Sequence, residues 1–247
     1  MSGVRDWLLE LGHSRLKLAR AGVEAGLAEV QRLHVDHLAD WLQRLSPGAG
    51  DRFWLAAVPY GDVTERVEAL LRARVPSVRR VITGSPSLDV MPAYAGLGVD
   101  RWLALQSAWR RVGSACCVVD AGTATTIDVI DDCGRHRGGW ILPGRAASRA
   151  ALLARAPVLR RDPGTAESLS PARETADALE RGLLLQQVGA VERALAEARP
   201  GLGAEPPALL LTGGAAGSLE SWLAGAKVEP DLVLEGLAMA VARSDEA

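Results

Sequence analysis

Val118-Val-Asp-Ala-Gly-Thr-Ala-Thr-Thr-Ile-Asp128 sets the Asp120 carboxylate, one glycine and three threonines at the junction of two apolar, β-branched runs. Cys116 to Val119 supplies an incoming strand, and Thr125 to Ile130 supplies the returning one. At the turn, Gly122 lets backbone N–H groups approach a phosphate with no Cβ in the way, while Thr123 and Thr125 add hydroxyl donors. Asp120, at the strand end, is placed to hold a cation that offsets the phosphate charge. The stretch reads as a phosphate-binding hairpin. A bare Asp-x-Gly-Thr also fits an ordinary turn, so the remainder of the chain has to decide between the two.

A second copy of the plan stands near the N-terminus. Trp7-Leu-Leu-Glu-Leu-Gly-His-Ser-Arg-Leu-Lys17 runs from an apolar strand through an acid, a spacer and a glycine to a hydroxyl residue, then returns to apolar character. Each copy opens a half-chain of similar length, which predicts a duplicated fold holding a nucleotide from both sides. The expected division is residues 1–110 and 111–247.

Strand and helix signals alternate along both halves. After the first hairpin (Trp7 to Ala19), helical periodicity is expected from about Gly22 to Leu45, ended by Pro47-Gly-Ala-Gly50. Phe53 to Val58 reads as a strand, Val63 to Ala73 as a helix, Val78 to Ile82 as a short strand and Gly98 to Trp109 as an amphipathic helix. In the second half, Gly138 to Gly144 reads as a short strand between glycine turns, and Ala146 to Ala156 and Glu174 to Ala198 read as helices. Ala208 to Gly214 is a buried strand ending in a glycine turn, and Glu235 to Arg243 is a closing helix. The class is therefore α/β.

Bulk properties exclude several functions. A net charge of -2 leaves no electrostatic footprint for nucleic acid, and no basic run suggests a membrane surface. Three cysteines make no complete disulfide set, and Cys116 and Cys117 read as apolar fillers of a strand. Neither a leader pattern nor a bilayer-length apolar run is present, so the cytoplasm is the expected compartment. His34 and His37 read as a solvated helix face and His136 as a solvent-facing hairpin tip; core packing is the default for the seven Trp residues.

Six ordered motifs carry a family resemblance: Glu10-x-Gly-x-Ser-x-x-Lys17, Gly98-Val-Asp-Arg101, Asp120-Ala-Gly-Thr-Ala-Thr-Thr, Gly139-x-Ile-x-Pro-Gly144, Thr175-Ala-Asp-Ala178 with Gly182, and Thr212-Gly-Gly214. Together they cover most of the chain and resemble type III pantothenate kinases. The resemblance implies duplicated ribonuclease H-like domains of the actin-like ATPase fold around a central nucleotide cleft. It implies ATP-dependent phosphorylation of pantothenate to 4'-phosphopantothenate, the first step of coenzyme A synthesis, by a homodimer. Mg2+ on the ATP and a monovalent cation, K+ or NH4+, come with it.

Carried over by position, the resemblance makes Asp100 the general base and gives pantothenate binding to Tyr94, Gly98, Val99, Asp100, Arg101 and Thr175, the last across the dimer interface. It gives ATP contacts to Glu10, Leu11, Gly12, His13, Ser14, Arg15, Leu16, Lys17 and Thr123, and the monovalent cation to Asp120. By residue type alone, Asp100 also suits a helix N-cap, Arg101 a surface position and Thr175 a helix cap. No Walker lysine motif occurs, and phosphoryl transfer by positioning and charge neutralisation does not need one.

The chain also departs from the family pattern. Glu10 and His13 replace the usual Asp and Asn of the first hairpin, Glu174 stands in place of Asn, and the loop from Tyr94 to Gly98 is shorter than usual. The altered first hairpin keeps open a non-catalytic accessory or regulatory homologue of the same fold. An actin-like kinase acting on another small alcohol is a third reading.

Overall fold

The computed structural model describes residues 5–13, 15–22, 26–59, 61–159, 164–165 and 167–246, which fall into two compact units. The first comprises residues up to Arg111 together with Asp231 onward, and the second comprises Val112–Pro230. The first boundary falls one residue from the expected one, but the second unit closes at Pro230 instead of running to 247. The physical reason is the last helix, whose Leu232, Val233, Leu234, Leu237, Ala240 and Val241 are all buried, and which packs on the sheet of the first unit.

In the first unit, β1 (Arg5–Leu11), β2 (Arg15–Ala21), β3 (Leu27–His34), β4 (Asp51–Ala57) and β5 (Val78–Arg80) form one sheet in the order β3-β2-β1-β4-β5. Strands β1, β2 and β3 are antiparallel neighbours, while β4 pairs parallel to β1 and β5 parallel to β4. Helices α1 (Leu38–Leu45) and α2 (Asp62–Arg74) give Leu38, Trp41, Leu42, Val67 and Leu71 to a cluster with Leu9, Leu11, Leu16, Leu18, Phe53 and Leu55 of the sheet. Burial of each such side chain contributes about 1.5–3 kcal/mol. Two guanidinium–carboxylate forks lock the parallel pair at its start: Arg5 bonds Asp51 and, one register step on, Arg52 bonds Asp6, with Nε–Oδ1 distances of 2.7 Å in both. Helix α3 (Val99–Val112) belongs to this unit.

The second unit repeats the plan with β6 (Cys116–Ala121), β7 (Ala124–Ile130), β8 (His136–Pro143), β9 (Ala208–Thr212) and β10 (Ala226–Val228), ordered β10-β9-β6-β7-β8. Again one strand has an antiparallel hairpin on one side and parallel partners on the other. Between these strands lie α4 (Arg145–Arg155), α5 (Thr175–Ala198) and α6 (Gly217–Glu220); α7 (Leu232–Glu246) is the helix that returns to the first unit. Leu184, Val188 and Val191 of α5 pack on Cys117, Val119, Ala121, Leu209 and Leu211. The duplication expected from the two hairpins is present as matched sheet topology.

Several local expectations are corrected. Residues 27–34 are a strand, not the start of a helix: Glu29 adopts φ 56° and the β2–β3 register shifts there, so the partly buried Leu27, Val30 and Leu33 stand at a spacing of three that imitates a helix, although Leu27 and Leu33 leave opposite faces of the sheet. Gly138 and Gly139 lie inside β8, at a register shift, rather than at a turn before it. His136 is buried, with Nε2 3.0 Å from the buried Asp128 carboxylate. His34 and His37 are exposed, though His34 ends β3 and His37 closes a 3-10 turn.

Candidate active site

In the first unit, antiparallel pairing sets Glu10 opposite Lys17, with Lys17 Nζ 3.3 Å from Glu10 Oε2. Both side chains are partly buried, so the ion pair stiffens the hairpin just behind its turn. Gly12 N–H donates to the Arg15 carbonyl at 2.9 Å, closing the turn; His13 and Arg15 are exposed there, and Ser14 lies outside the described residues. Leu11 and Leu16 are register partners with buried side chains in the core, which leaves only their backbone for a nucleotide.

Asp100 sits in the first turn of α3 rather than at its cap. Gly98 accepts the first helical bond from Trp102 N–H at 3.0 Å, and the Asp100 carboxylate accepts Arg101 N–H at 2.7 Å. A Cβ on Gly98 would stand 2.6 Å from Asp100 Oδ1, so the missing side chain is what lets the carboxylate occupy its place. Arg101 is 8% exposed and donates to the Tyr94 hydroxyl at 2.9 Å, which brings these two substrate candidates together despite the short loop. Val99 is buried.

The loop before α3 is tied down by residues that the sequence analysis did not single out. Val90 N–H donates to Gln106 Oε1 at 2.9 Å, and its carbonyl accepts Gln106 Nε2 at 2.7 Å and Trp102 Nε1 at 3.0 Å. Gln106 is completely buried. A polar residue between the apolar positions Leu103 and Leu105 and Ala108 of an amphipathic helix was the available signal.

In the second unit, Gly122, Thr123 and Ala124 are exposed at the β6–β7 turn, which Gly122 N–H closes on the Ala124 carbonyl at 3.0 Å. Thr125 departs from the expected phosphate role: it is buried, and its hydroxyl donates to Gln187 Oε1 at 2.6 Å. Gln187 Nε2 in turn donates to the Pro143 carbonyl, so one α5 side chain fastens the ends of both β7 and β8. Gly144, before α4, donates to the Thr123 carbonyl at 2.9 Å, and a Cβ there would stand 2.7 Å from that oxygen. The Pro-Gly of the fourth motif thus ends in a residue small enough to lie against the turn.

Asp120 is half-buried at the end of β6, beside Gly213, whose φ is +89°. A Cβ on Gly213 would overlap Asp120 Oδ1 and lie 2.6 Å from the Ala121 carbonyl, which also accepts Ala215 N–H at 2.9 Å, so this glycine lets the two oxygens converge at one corner. Carboxylate and carbonyl oxygens are the donors that hard cations take, and the corner fits a cation of that kind. Thr175 is exposed as the first residue of α5; the N-cap position is Glu174, which makes no side-chain capping bond. Nearby, Glu180 bridges Arg145 (2.9 Å) and Arg149 (2.7 Å), joining α4 to α5. Burial pushes the Glu180 carboxyl up, but the two guanidinium hydrogen bonds outweigh it and hold the group below the usual carboxylate range.

Residues 8–197 match the family model described as type III pantothenate kinase. The type III pantothenate kinase of Pseudomonas aeruginosa strain LESB58 is 36% identical over 245 residues, covering 94% of this chain and 97% of that protein. A conserved Baf family protein from Campylobacter jejuni superposes with a TM-score of 0.65 at 21% identity, over 98% of this chain and 100% of the other. An archaeal actin homologue, Ta0583, does so with a TM-score of 0.52 at 10% identity, over 97% and 99%. These two likenesses identify the actin-like fold. The matched model and the similarity over nearly the full length identify more: the chain belongs to the type III pantothenate kinase family.

Proposed function

We propose that this chain is an active kinase that transfers the γ-phosphoryl group of ATP to the primary hydroxyl of pantothenate, giving 4'-phosphopantothenate and ADP. The observation that carries the reading is the Asp100 carboxylate, half-buried at the head of α3 and held between Gly98 and the Arg101 N–H. Asp100 accepts the hydroxyl proton as the substrate oxygen bonds to the γ-phosphorus and the bond to the departing ADP oxygen breaks. Arg101 and Tyr94, already joined, orient the substrate, with Gly98 and Val99 lending backbone.

Gly12, His13, Arg15 and Thr123, with the backbone of Leu11 and Leu16, contact the phosphates. Ser14 belongs to the same proposed set by its place in the first motif. Thr123 suits the role because its hydroxyl is exposed at a glycine turn. Mg2+ bound with the ATP would neutralise charge that develops on the phosphates, and Glu10, steadied by Lys17, is the carboxylate of the first hairpin that would serve it. Asp120 would hold a monovalent cation, K+ or NH4+.

A homodimer completes the substrate site through Thr175 of the second copy. Its support is a set of large apolar residues left exposed in the second unit: Trp140 and Ile141 on β8, Leu152 on α4, Val158 just after it and Leu185 on α5. No described helix is long and apolar enough to cross a membrane, and the cytoplasm is the proposed site of action.

The test is an assay of the purified protein with ATP, Mg2+, K+ and pantothenate, reading ADP and 4'-phosphopantothenate together. Absence of turnover with a folded protein overturns the proposal. Asp100→Asn should lower kcat by about 100-fold or more, the usual weight of a general base, with the unfolding midpoint nearly unchanged. Sedimentation should find a dimer, and Ile141→Lys should yield monomer with lost activity.

A further inference from the structure

Asp120 and Thr212 are register partners on the parallel strands β6 and β9, so their side chains leave the same sheet face about 5 Å apart, the spacing of neighbouring strands. Alternation puts Cys117, Val119, Ala121, Leu209 and Leu211 into the apolar cluster under α5, and turns Asp120 and Thr212 to the other face. Thr212 is completely buried, and among the described residues its Oγ1 has no hydrogen-bond partner. An orphaned hydroxyl at such a place costs stability, whereas valine would give the same shape without the cost. The strand leading to it, Leu209-Leu210-Leu211, is otherwise aliphatic. Threonine here calls for a ligand.

The corner supplies one. Next in the chain, Gly213 keeps Asp120 Oδ1 and the Ala121 carbonyl close against its Cα. A carboxylate, a main-chain carbonyl and a threonine hydroxyl therefore stand at one end of one strand pair. A single charge among neutral oxygens suits a weakly hydrated monovalent ion. We infer that Thr212 Oγ1 is a ligand of the monovalent cation held at Asp120 and sets its affinity. This rests on the reading of Asp120 given above.

The experiment compares the unmodified protein with Thr212→Val, Thr212→Ser and Asp120→Asn. It follows the thermal unfolding midpoint as KCl replaces choline chloride at constant ionic strength, together with the K+ concentration that half-activates the kinase. Thr212→Val should need about tenfold more K+ in both titrations, the loss of one hydroxyl ligand to a charged group. In choline chloride alone its midpoint should equal or exceed that of the unmodified protein, because the orphaned hydroxyl is gone; a merely structural threonine would lower it in every salt. Thr212→Ser should restore the unmodified response. If Thr212→Val titrates like the unmodified protein while Asp120→Asn loses the response, the Thr212 assignment alone is overturned. If Asp120→Asn also titrates normally, or the unmodified protein shows no K+ effect, the Asp120 reading fails and the inference falls with it.

Discussion

Asp100 depends on a side chain that is not there. Its carboxylate lies where a Cβ on Gly98 would come within 2.6 Å, closer than a carbon and an oxygen tolerate, and the crowding atom is an oxygen of the proposed base. Gly98→Ala should therefore act on chemistry before stability: the carboxylate must swing away or the helix start must shift. A displacement of about 1 Å costs on the order of 100-fold in rate. Steady-state assay should find kcat down by about that factor with KM for ATP unchanged, and an unmoved kcat would show that the carboxylate works from another position. The glycine of Gly-Val-Asp-Arg was legible as part of a motif, but its reason was not. Only the fold brings it against the oxygen that it makes room for. Thr125 teaches the converse, since its type and spacing suited phosphate while burial and Gln187 claimed its hydroxyl.

At the scale of elements, both hairpins were readable because apolar alternation and a turn glycine agree there. Strand β3 was not, because the bulge at Glu29 leaves its partly buried leucines and valine three residues apart, a spacing that a helix shares. Nor could periodicity find the Glu180 bridge between α4 and α5, which depends on two arginines 31 and 35 residues away. That bridge makes a pH prediction. The Glu180 carboxyl titrates below its unfolded value, as does that of Asp51, which the hydrogen bond from Arg5 lowers. Both contributions are thus fully present above the unfolded carboxylate range, about pH 4, and are lost as pH falls through the folded values. Glu180→Gln should cost about 1–3 kcal/mol at neutral pH by weakening two charge-assisted hydrogen bonds. Denaturant titrations at several pH values should show the gap between variant and unmodified protein closing towards pH 3; a gap of constant size would mean that Glu180 acts by packing alone.

For the whole molecule, the chain order and the folded units disagree at one place, and that place abuts the helix of the proposed base. A reader of the sequence sees two halves and assigns the last helix to the second, whereas α7 completes the first. There it meets α3, the helix that carries Asp100 in its first turn: Ser107 Oγ bonds the Leu232 carbonyl, Arg111 forks onto Glu235, and Gly236 lies against the backbone of Leu103, where a Cβ would come within 2.6 Å of the carbonyl carbon. The helix of the proposed base is thereby braced by residues more than a hundred positions downstream. Gly236→Ala should force α7 away from α3 and cost about 1–3 kcal/mol, the usual penalty of overpacking. Since α3 carries Asp100, Arg101 and the Val90 clamp, kcat should fall too, at a temperature well below the lowered unfolding midpoint. Leu219→Ala offers the control: it leaves a cavity in the second unit's cluster at a cost of about 2–5 kcal/mol, without touching α3. If both variants lose stability but only Gly236→Ala loses turnover in the folded state, the returning helix positions the base; equal retention of kcat would reduce α7 to a cover for the sheet.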